Sequence, residues 1–284
     1  FFSPPPPPPP ILSGLVGSEM CIRDSTTGSH NTALGSSALG ANTTASNNTA
    51  VGRWALLSNT TGNSNVAVGA NALDANTTNS FNTAIGFNAL TTNNGANANT
   101  AVGYNALRLN TTGTQNVALG FEALIANTTA SYDISIGAYS LHNNTTGSSN
   151  IAVGDHALHE NTTAAYNVAI GVNAMRENTT GANNTVLGFN ALRQNTTGIQ
   201  NVAIGRGALY TNNAANNNAV GYQSLAANTT GTFNNALGNY ALGANTTGGY
   251  NTAVGANALD ANTCLLYTSP SPRDQRGSGI PSCG

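Results

Sequence analysis

The sequence predicts an all-β solenoid of about 14 short coils, and three observations predict it. A glycine recurs at Gly35, Gly52, Gly69, Gly86, Gly103, Gly120, Gly137, Gly154, Gly171, Gly188, Gly205, Gly221, Gly238 and Gly255. Every interval is 17 residues except the 16 from Gly205 to Gly221. The residue before each glycine is Val, Ile or Leu, and the fourth after it is Leu, with Met175 the single exception. Asn stands seven after every one of these glycines, from Asn42 to Asn262, and four before all of them except at Asp133. A fixed short period of this kind marks stacked supersecondary units rather than one conventional core.

Each part of the repeat Asn-x-Ala-[Val/Ile/Leu]-Gly-x-x-Ala-Leu-x-x-Asn-Thr-Thr-Gly-x-x has a structural reading. Helix-pair repeats run to about 33–47 residues, so 17 is too few for them. A leucine-rich repeat needs more leucines per copy. Aliphatic anchors with one-residue alternation, followed by Asn-Thr-Thr-Gly, predict two very short strands and two turns per coil. Gly and Asn supply the positive-φ positions of tight turns. Stacking places identical residues about 4.8 Å apart. Aliphatic columns then become a continuous core, and Asn columns become hydrogen-bonded ladders of the kind seen in cross-β assemblies. Fourteen coils give a rod of roughly 65–70 Å. Its core is thin, with one aliphatic before the glycine and one Leu after it. The alanines two before and three after the glycine read as a second close-packed face around a symmetry axis, which points to an oligomer.

The ends do not share this pattern. All ten prolines (Pro4 to Pro10, Pro270, Pro272, Pro281) and all three cysteines (Cys21, Cys264, Cys283) lie outside the repeats. The segment from Cys264 to Asp274 can be encoded by a string that resembles a transposon-end adapter used to build sequencing libraries. The reverse complement of that adapter, in one shifted frame, translates as Leu15 to Asp24. Residues 1–25 and 264–284 therefore read as translated adapter and index sequence, and 26–263 as the native repeat region. On this reading Met20 is adapter, the native start is missing, and the proline run is a read error rather than a polyproline II ligand. The repeats themselves hold no Cys, which removes disulfide and thiol chemistry.

Charge narrows the function further. Only 6% of residues are charged, against roughly a quarter in ordinary soluble domains. The 8 Lys+Arg are all Arg, and the net charge is -2. Such a chain offers no basic surface to neutralise phosphates, so nucleic acid is not an expected partner. So little charge also argues against charge-driven disorder. No apolar run approaches the ~20 residues of a membrane-spanning helix.

Candidate chemistry is sparse. His142 and His159 occupy one column in adjacent coils, and Glu160 follows; stacked neighbours of this type are metal-ligand types. The same column holds Asp74, Arg108, Arg176, Arg193 and Tyr210, however, which reads as a variable, solvent-facing position. Glu160 and Glu177 also share a column, and an exposed carboxylate pair without a cleft reads as solvated rather than as an acid–base pair. The glycines lack the Gly-Lys-[Ser/Thr] of a phosphate loop. Asp74, Asp133, Asp155 and Asp260 stand singly, so no calcium-binding nonapeptide is present. The Thr pairs (Thr43-Thr44, Thr60-Thr61, Thr77-Thr78, Thr111-Thr112) predict a flat double ladder of hydroxyls and methyls. It suits an ordered surface such as ice, although loop hydrogen bonding is its simpler role. Asn-Thr-Thr is also an N-glycosylation sequon, but its recurrence at the repeat period reads as structural. Aromatics fall in variable columns, which should face outwards. Phe87, Tyr104, Phe121, Phe189 and Tyr222 follow the glycine; Phe81, Tyr132, Tyr166, Phe233 and Tyr250 precede the next Asn. Arg53 and Trp54 mark one outward corner. No catalytic, cofactor-binding or metal-binding residue is assigned, no cofactor is implied, and no ligand site is selected.

The motif Asn-Thr-Ala-Val-Gly, as at Asn99 to Gly103 and Asn251 to Gly255, resembles the head repeat of trimeric autotransporter adhesins, the YadA-like or Hep/Hag-type repeat. The resemblance covers all 14 copies. It implies a left-handed parallel β-roll, a homotrimer, and a cell-surface position on the outer membrane of a Gram-negative bacterium. It also implies adhesion to matrix, cell-surface or abiotic ligands without catalysis. This sequence departs from the family in having a longer repeat, with an added Asn-Thr-Thr-Gly loop, and in showing no stalk heptads or barrel strands. The repeats are also similar to shafts of phage tail fibres and secreted fibres, which leaves a tail-fibre shaft as the alternative carrier and an ice-binding solenoid as a second.

Overall fold

The computed structural model describes residues 27–262. The segments read as adapter, 1–25 and 264–284, lie outside the described residues. What is described is an all-β parallel solenoid of about thirteen turns, with one three-residue strand per coil. The strands are β1 (Thr32–Leu34), β2 (Thr49–Val51), β3 (Val66–Val68), β4 (Thr83–Ile85), β5 (Thr100–Val102), β6 (Val117–Leu119), β7 (Ile134–Ile136), β8 (Ile151–Val153), β9 (Val168–Ile170), β10 (Thr185–Leu187), β11 (Val202–Ile204), β12 (Asn218–Val220), β13 (Asn235–Leu237) and β14 (Thr252–Val254). They form a single 14-stranded sheet in chain order. Coils are numbered by their strands.

Register follows the sequence period. Ala101 of β5 pairs with Ala118 of β6, and Ala203 of β11 pairs with Ala219 of β12 across the 16-residue coil. The missing residue therefore falls in the loop and not in the sheet. In coil 11 that loop is Asn212-Asn213-Ala214, and Asn213 Oδ1 accepts from the backbone N–H and hydroxyl of both Thr196 and Thr197 at 2.9–3.2 Å.

The second strand expected in each coil does not form. The stretch after the glycine is a run of turns instead. Ala55 N–H donates to Gly52 O at 3.3 Å, and Asn59 N–H donates to Leu56 O, also at 3.3 Å. Left-handed residues alternate through it, as at Trp54 (φ 62) and Leu56 (φ 51). The repeat glycines hold positive φ as expected, and so do Asn residues such as Asn71, Asn88 and Asn105, but they are not alone. Leu, aromatic and Gln residues hold many of the positive-φ positions, and the two invariant Asn columns hold none. A bulky residue at positive φ is costly. Burying these Leu side chains in the core is the compensation on view: Leu56, Leu73, Leu90 and Leu107 are fully buried, and only Leu259 in the last coil is partly exposed.

The core is correspondingly not the one the aliphatic pattern predicted. In each strand the central residue points in and its two neighbours point out; Val66–Val68 shows this pattern with Ala67 fully buried. The interior is therefore built from the two alanines and the Leu of each coil, such as Ala101, Ala106 and Leu107. The alanines are not a second packing face, because they line the narrow lumen of the chain's own coil. The Val, Ile or Leu before the glycine stands on the outer surface instead, with Leu34 50%, Leu119 43% and Leu237 52% exposed. Period-2 alternation in a three-residue strand forces this: if Ala faces inwards, both neighbours must face outwards.

Two buried amide ladders complete the core. In the column four before the glycine, each backbone N–H donates to the Asn Oδ1 of the preceding coil, from Asn48 on Asn31 (3.0 Å) to Asn251 on Asn234 (3.0 Å). In the column seven after it, side chains bond directly, as Asn76 Nδ2 does to Asn59 Oδ1 at 3.0 Å and Asn127 Nδ2 to Asn110 Oδ1 at 2.8 Å. These are the ladders the sequence predicted. They satisfy polar groups that would otherwise be costly to bury.

Candidate functional site

The imidazoles that share a column do meet. His142 and His159 stack with centroids 4.9 Å apart and planes 9° apart. A third, His156, joins them at 5.1 Å from His159, and Tyr139 lies 5.0 Å from His156. His156 was not a sequence candidate. Its column, two after the glycine, neighbours that of His142 only once the turn folds, so linear spacing carried no signal.

Each ring is paired with an oxygen rather than gathered around one centre. His142 Nδ1 lies 2.8 Å from Asn143 Oδ1 and its Nε2 3.4 Å from Glu122 Oε2. His156 Nδ1 pairs with Asp155 at 2.9 Å, and His159 Nδ1 with Glu160 at 2.9 Å. Among the described residues, no group of three or more His, Cys, Asp and Glu side chains is arranged to hold a metal ion. Burial lowers the His159 pKa, against the raising effect of Glu160; the nearby His142 and His156 charges lower it further. Burial by itself would raise Glu160. Hydrogen bonds from Asn143 and His159 outweigh that and lower its carboxyl. Glu177 is separate and faces Arg193 at 3.9 Å. The Glu160–Glu177 column therefore forms two distinct pairs and not a carboxylate dyad.

The threonines resolve into two roles. The first of most pairs bonds its hydroxyl to the backbone of the next coil, as Thr111 Oγ1 to Thr128 O (2.9 Å) and Thr145 Oγ1 to Thr162 O (3.0 Å), while Thr77 and Thr196 donate to the side chains of Asn94 and Asn213 where the next loop carries Asn in place of Thr. The second is exposed at Thr61, Thr129, Thr146, Thr163 and Thr180. The double hydroxyl ladder thus reduces to a single rank of exposed Thr, interrupted in the coils that carry Asn94 and Asn213 and with Thr197 bonded to Asn213, and the loop-bonding role expected of the pair is present for the first member.

The aromatic columns face outwards as expected, with Phe81 66%, Tyr166 66% and Tyr250 64% exposed. Phe87, Tyr104 and Phe121 stack in succession at 5.6 and 5.1 Å, so they present ring edges rather than open faces. Arg53 lies 3.9 Å over the Trp54 ring.

The outer face of the sheet runs through all fourteen coils. Two columns cover it in register: Val51, Val68, Ile85, Val102 and their equivalents, and beside them Thr49, Val66, Thr83, Thr100, Val117, Ile134 and Ile151. It carries no charged side chain. The second column mixes Val and Ile with Thr and carries Asn218 and Asn235, but the first is aliphatic in every coil, and an aliphatic column of this length is unusual for a surface left to water. No protein-family model matches the chain, and no curated protein matches it in sequence.

Proposed function

We propose that this chain is the head of an extracellular adhesive fibre: a left-handed parallel β-roll that assembles as a homotrimer and holds ligands on the cell surface by repeated weak contacts. The observation that carries the reading is the uncharged, outward sheet face of Val, Ile and Leu. Burying that column between copies would recover apolar area that one thin lumen does not provide. The remaining surface, rich in Asn and Thr and almost free of charge, repeats at every coil. Contacts repeated along a rod and across three chains gain avidity without any single strong site. No part of this role calls for catalysis. A position at the outer membrane belongs to the same reading through the head-repeat resemblance. A phage or secreted tail-fibre shaft would use the same trimeric rod as a spacer. The ice-binding alternative rests on the single rank of exposed Thr.

Sedimentation velocity on the full chain tests the assembly. The expected particle has about three times the 28.6 kDa chain mass. Val68→Lys together with Val102→Lys should reduce it to monomer. A wild-type monomer across micromolar concentrations would rule out the trimer. Retained binding of repeat-coated beads to host cells or matrix, lost in the monomeric variant, is the expected adhesive outcome.

A further inference from the structure

The column five after the glycine changes character late in the rod. It runs Arg193, Tyr210, Ala226, Gly243, Asp260 over coils 10 to 14. Two small residues in succession leave a gap in a column otherwise filled by larger side chains nearby. Beside it, Gly207 removes the side chain that most coils carry two after the glycine. The result is a cavity of about 370 Å³, lined by Gly207, Tyr210, Thr211, Gln223, Ala226 and Gly243, with Ala227 beside them. That volume is at the lower end of the range for small-molecule sites.

We propose that this slot is a binding site for a neutral hexopyranose unit of a glycan. Tyr210 supplies an open platform. On its coil-10 side the Arg193 guanidinium carbon lies 5.9 Å from the ring centroid, and Arg193 Nη1 donates to the Tyr210 hydroxyl oxygen at 2.7 Å. On the coil-12 side the column offers only Ala226. Among the described residues no other aromatic ring contacts Tyr210. It therefore differs from the Phe87–Tyr104–Phe121 stack, whose faces cover one another. An open aromatic face packs against the C–H face of a sugar ring, while the ring's rim of hydroxyls needs donors and acceptors in the same plane.

The slot provides them. Because Arg193 donates to the Tyr210 oxygen, the phenol hydrogen is left to donate outwards. Gln223 lines the slot, its Cγ 3.5 Å from where a Cβ on Gly207 would stand, and its side-chain amide makes no hydrogen bond within the described residues, so its donor and its acceptor are both uncommitted. Thr211 spends its hydroxyl hydrogen on Ala226 O (3.0 Å) and Asn228 O (3.1 Å), which leaves its lone pairs as acceptors. Asp260 Oδ1 lies 2.5 Å from where a Cβ on Gly243 would stand, so glycine there lets the carboxylate approach the slot. That carboxylate disfavours an anionic ligand. The guanidinium over the far face of Tyr210 disfavours a second cation on the near face. A neutral polyol with an apolar face meets both conditions. The assignment stands on coils 10 to 14 alone and needs neither the trimer nor adhesion.

Saturation-transfer NMR on the full chain tests it, with D-glucose, D-galactose, D-mannose and N-acetyl-D-glucosamine each at millimolar concentration. The expected result is transfer to the ring protons of at least one sugar, with millimolar affinity. Ala226→Leu fills the slot and should abolish transfer. Tyr210→Ala removes the platform and should weaken binding at least tenfold, so the test survives if the first variant folds poorly. Absence of transfer to all four sugars overturns the proposal. Transfer that persists in both variants does so too, as does transfer to choline chloride alone.

Discussion

Asp133 is the only carboxylate in the buried amide ladder, and its neighbours have rearranged around it. An Asn at this position would donate to the carbonyl of the residue 14 further on, as Asn116 does to Ala130 O at 2.9 Å. An ionised Asp cannot donate. Asn144 Nδ2 turns towards Asp133 Oδ2 at 3.2 Å, and Asn127 Oδ1, which it would otherwise have met, is left without a partner. Burial pushes the Asp133 pKa up to about 7, against the lowering effect of hydrogen bonds from Asn150 and Asn144. The folded state therefore holds this proton more tightly than the unfolded chain. The resulting stabilisation is complete below about pH 4, is lost as pH rises towards 7, and is absent above it. Asp133→Asn should raise stability by about 2–4 kcal/mol at pH 8 and by little at pH 4. Parallel urea melts at the two pH values check this. An equal effect at both would show that Asp133 titrates normally. The substitution is legible in the sequence as one break in a column of Asn. That the column is buried is not, because Asn is usually a surface residue.

At the scale of one coil, two residues fix the path. Gly103 has φ 140, and a Cβ there would meet the backbone of Gly120 in the next coil. Gly103→Ala is expected to destabilise by more than about 2 kcal/mol, since strain and a backbone clash add. The loop glycine of Gly113 is different. It has no positive φ, yet a Cβ would overlap Ala130 O, so the next loop packs directly on its backbone; the same column holds Ala96 and Ala130 in the flanking coils, where the loop accommodates a methyl group. Leu107 is the one large side chain that coil 5 places in the lumen. Leu107→Ala should cost about 2–5 kcal/mol, read as a shift in urea midpoint at constant slope. A loss below 1 kcal/mol would mean that the lumen collapses freely around the gap. The period identified both residues. It did not reveal that Leu itself would adopt φ 52, since no local preference favours that conformation; neighbouring coils impose it through backbone hydrogen bonds such as Leu107 N–H to Ala123 O at 3.0 Å.

Along the whole rod each coil touches only its neighbours, so stability is close to a sum of coils and interfaces. Removing residues 93–109, one full period, should leave a folded solenoid and lower the urea slope by about one part in fourteen. Removing ten residues instead should break register and unfold the adjacent coils. Coil 7 is the weak point of this sum. Besides Asp133 it buries Ser135 and Ser140 where other coils mostly carry Ala, and the two hydroxyls bond to one another. Amide hydrogen exchange at pH 8 should accordingly be faster across Ile134–Ile136 than across Thr100–Val102. Uniform protection along the rod would contradict that ranking.

The sequence by itself determined the solenoid, its parallel in-register stacking and both amide ladders, because a strict period leaves stacked identical residues no other partner than themselves. It also placed the aromatic columns outside, since only solvent-facing positions tolerate Phe, Ala and Asp in the same column. Only the tertiary structure decided which half of each strand faces the lumen. Ala and Val alternate, and either could be the inner set until the width of the coil is known. A lumen already holding one Leu per coil has room for Ala and not for Val, so the larger aliphatics are turned outwards. The slot beside Tyr210 was decided at the same level: Tyr210, Ala226 and Gly243, 16 and 33 residues apart in sequence, become neighbours only through stacking, and a gap is visible only where side chains are missing.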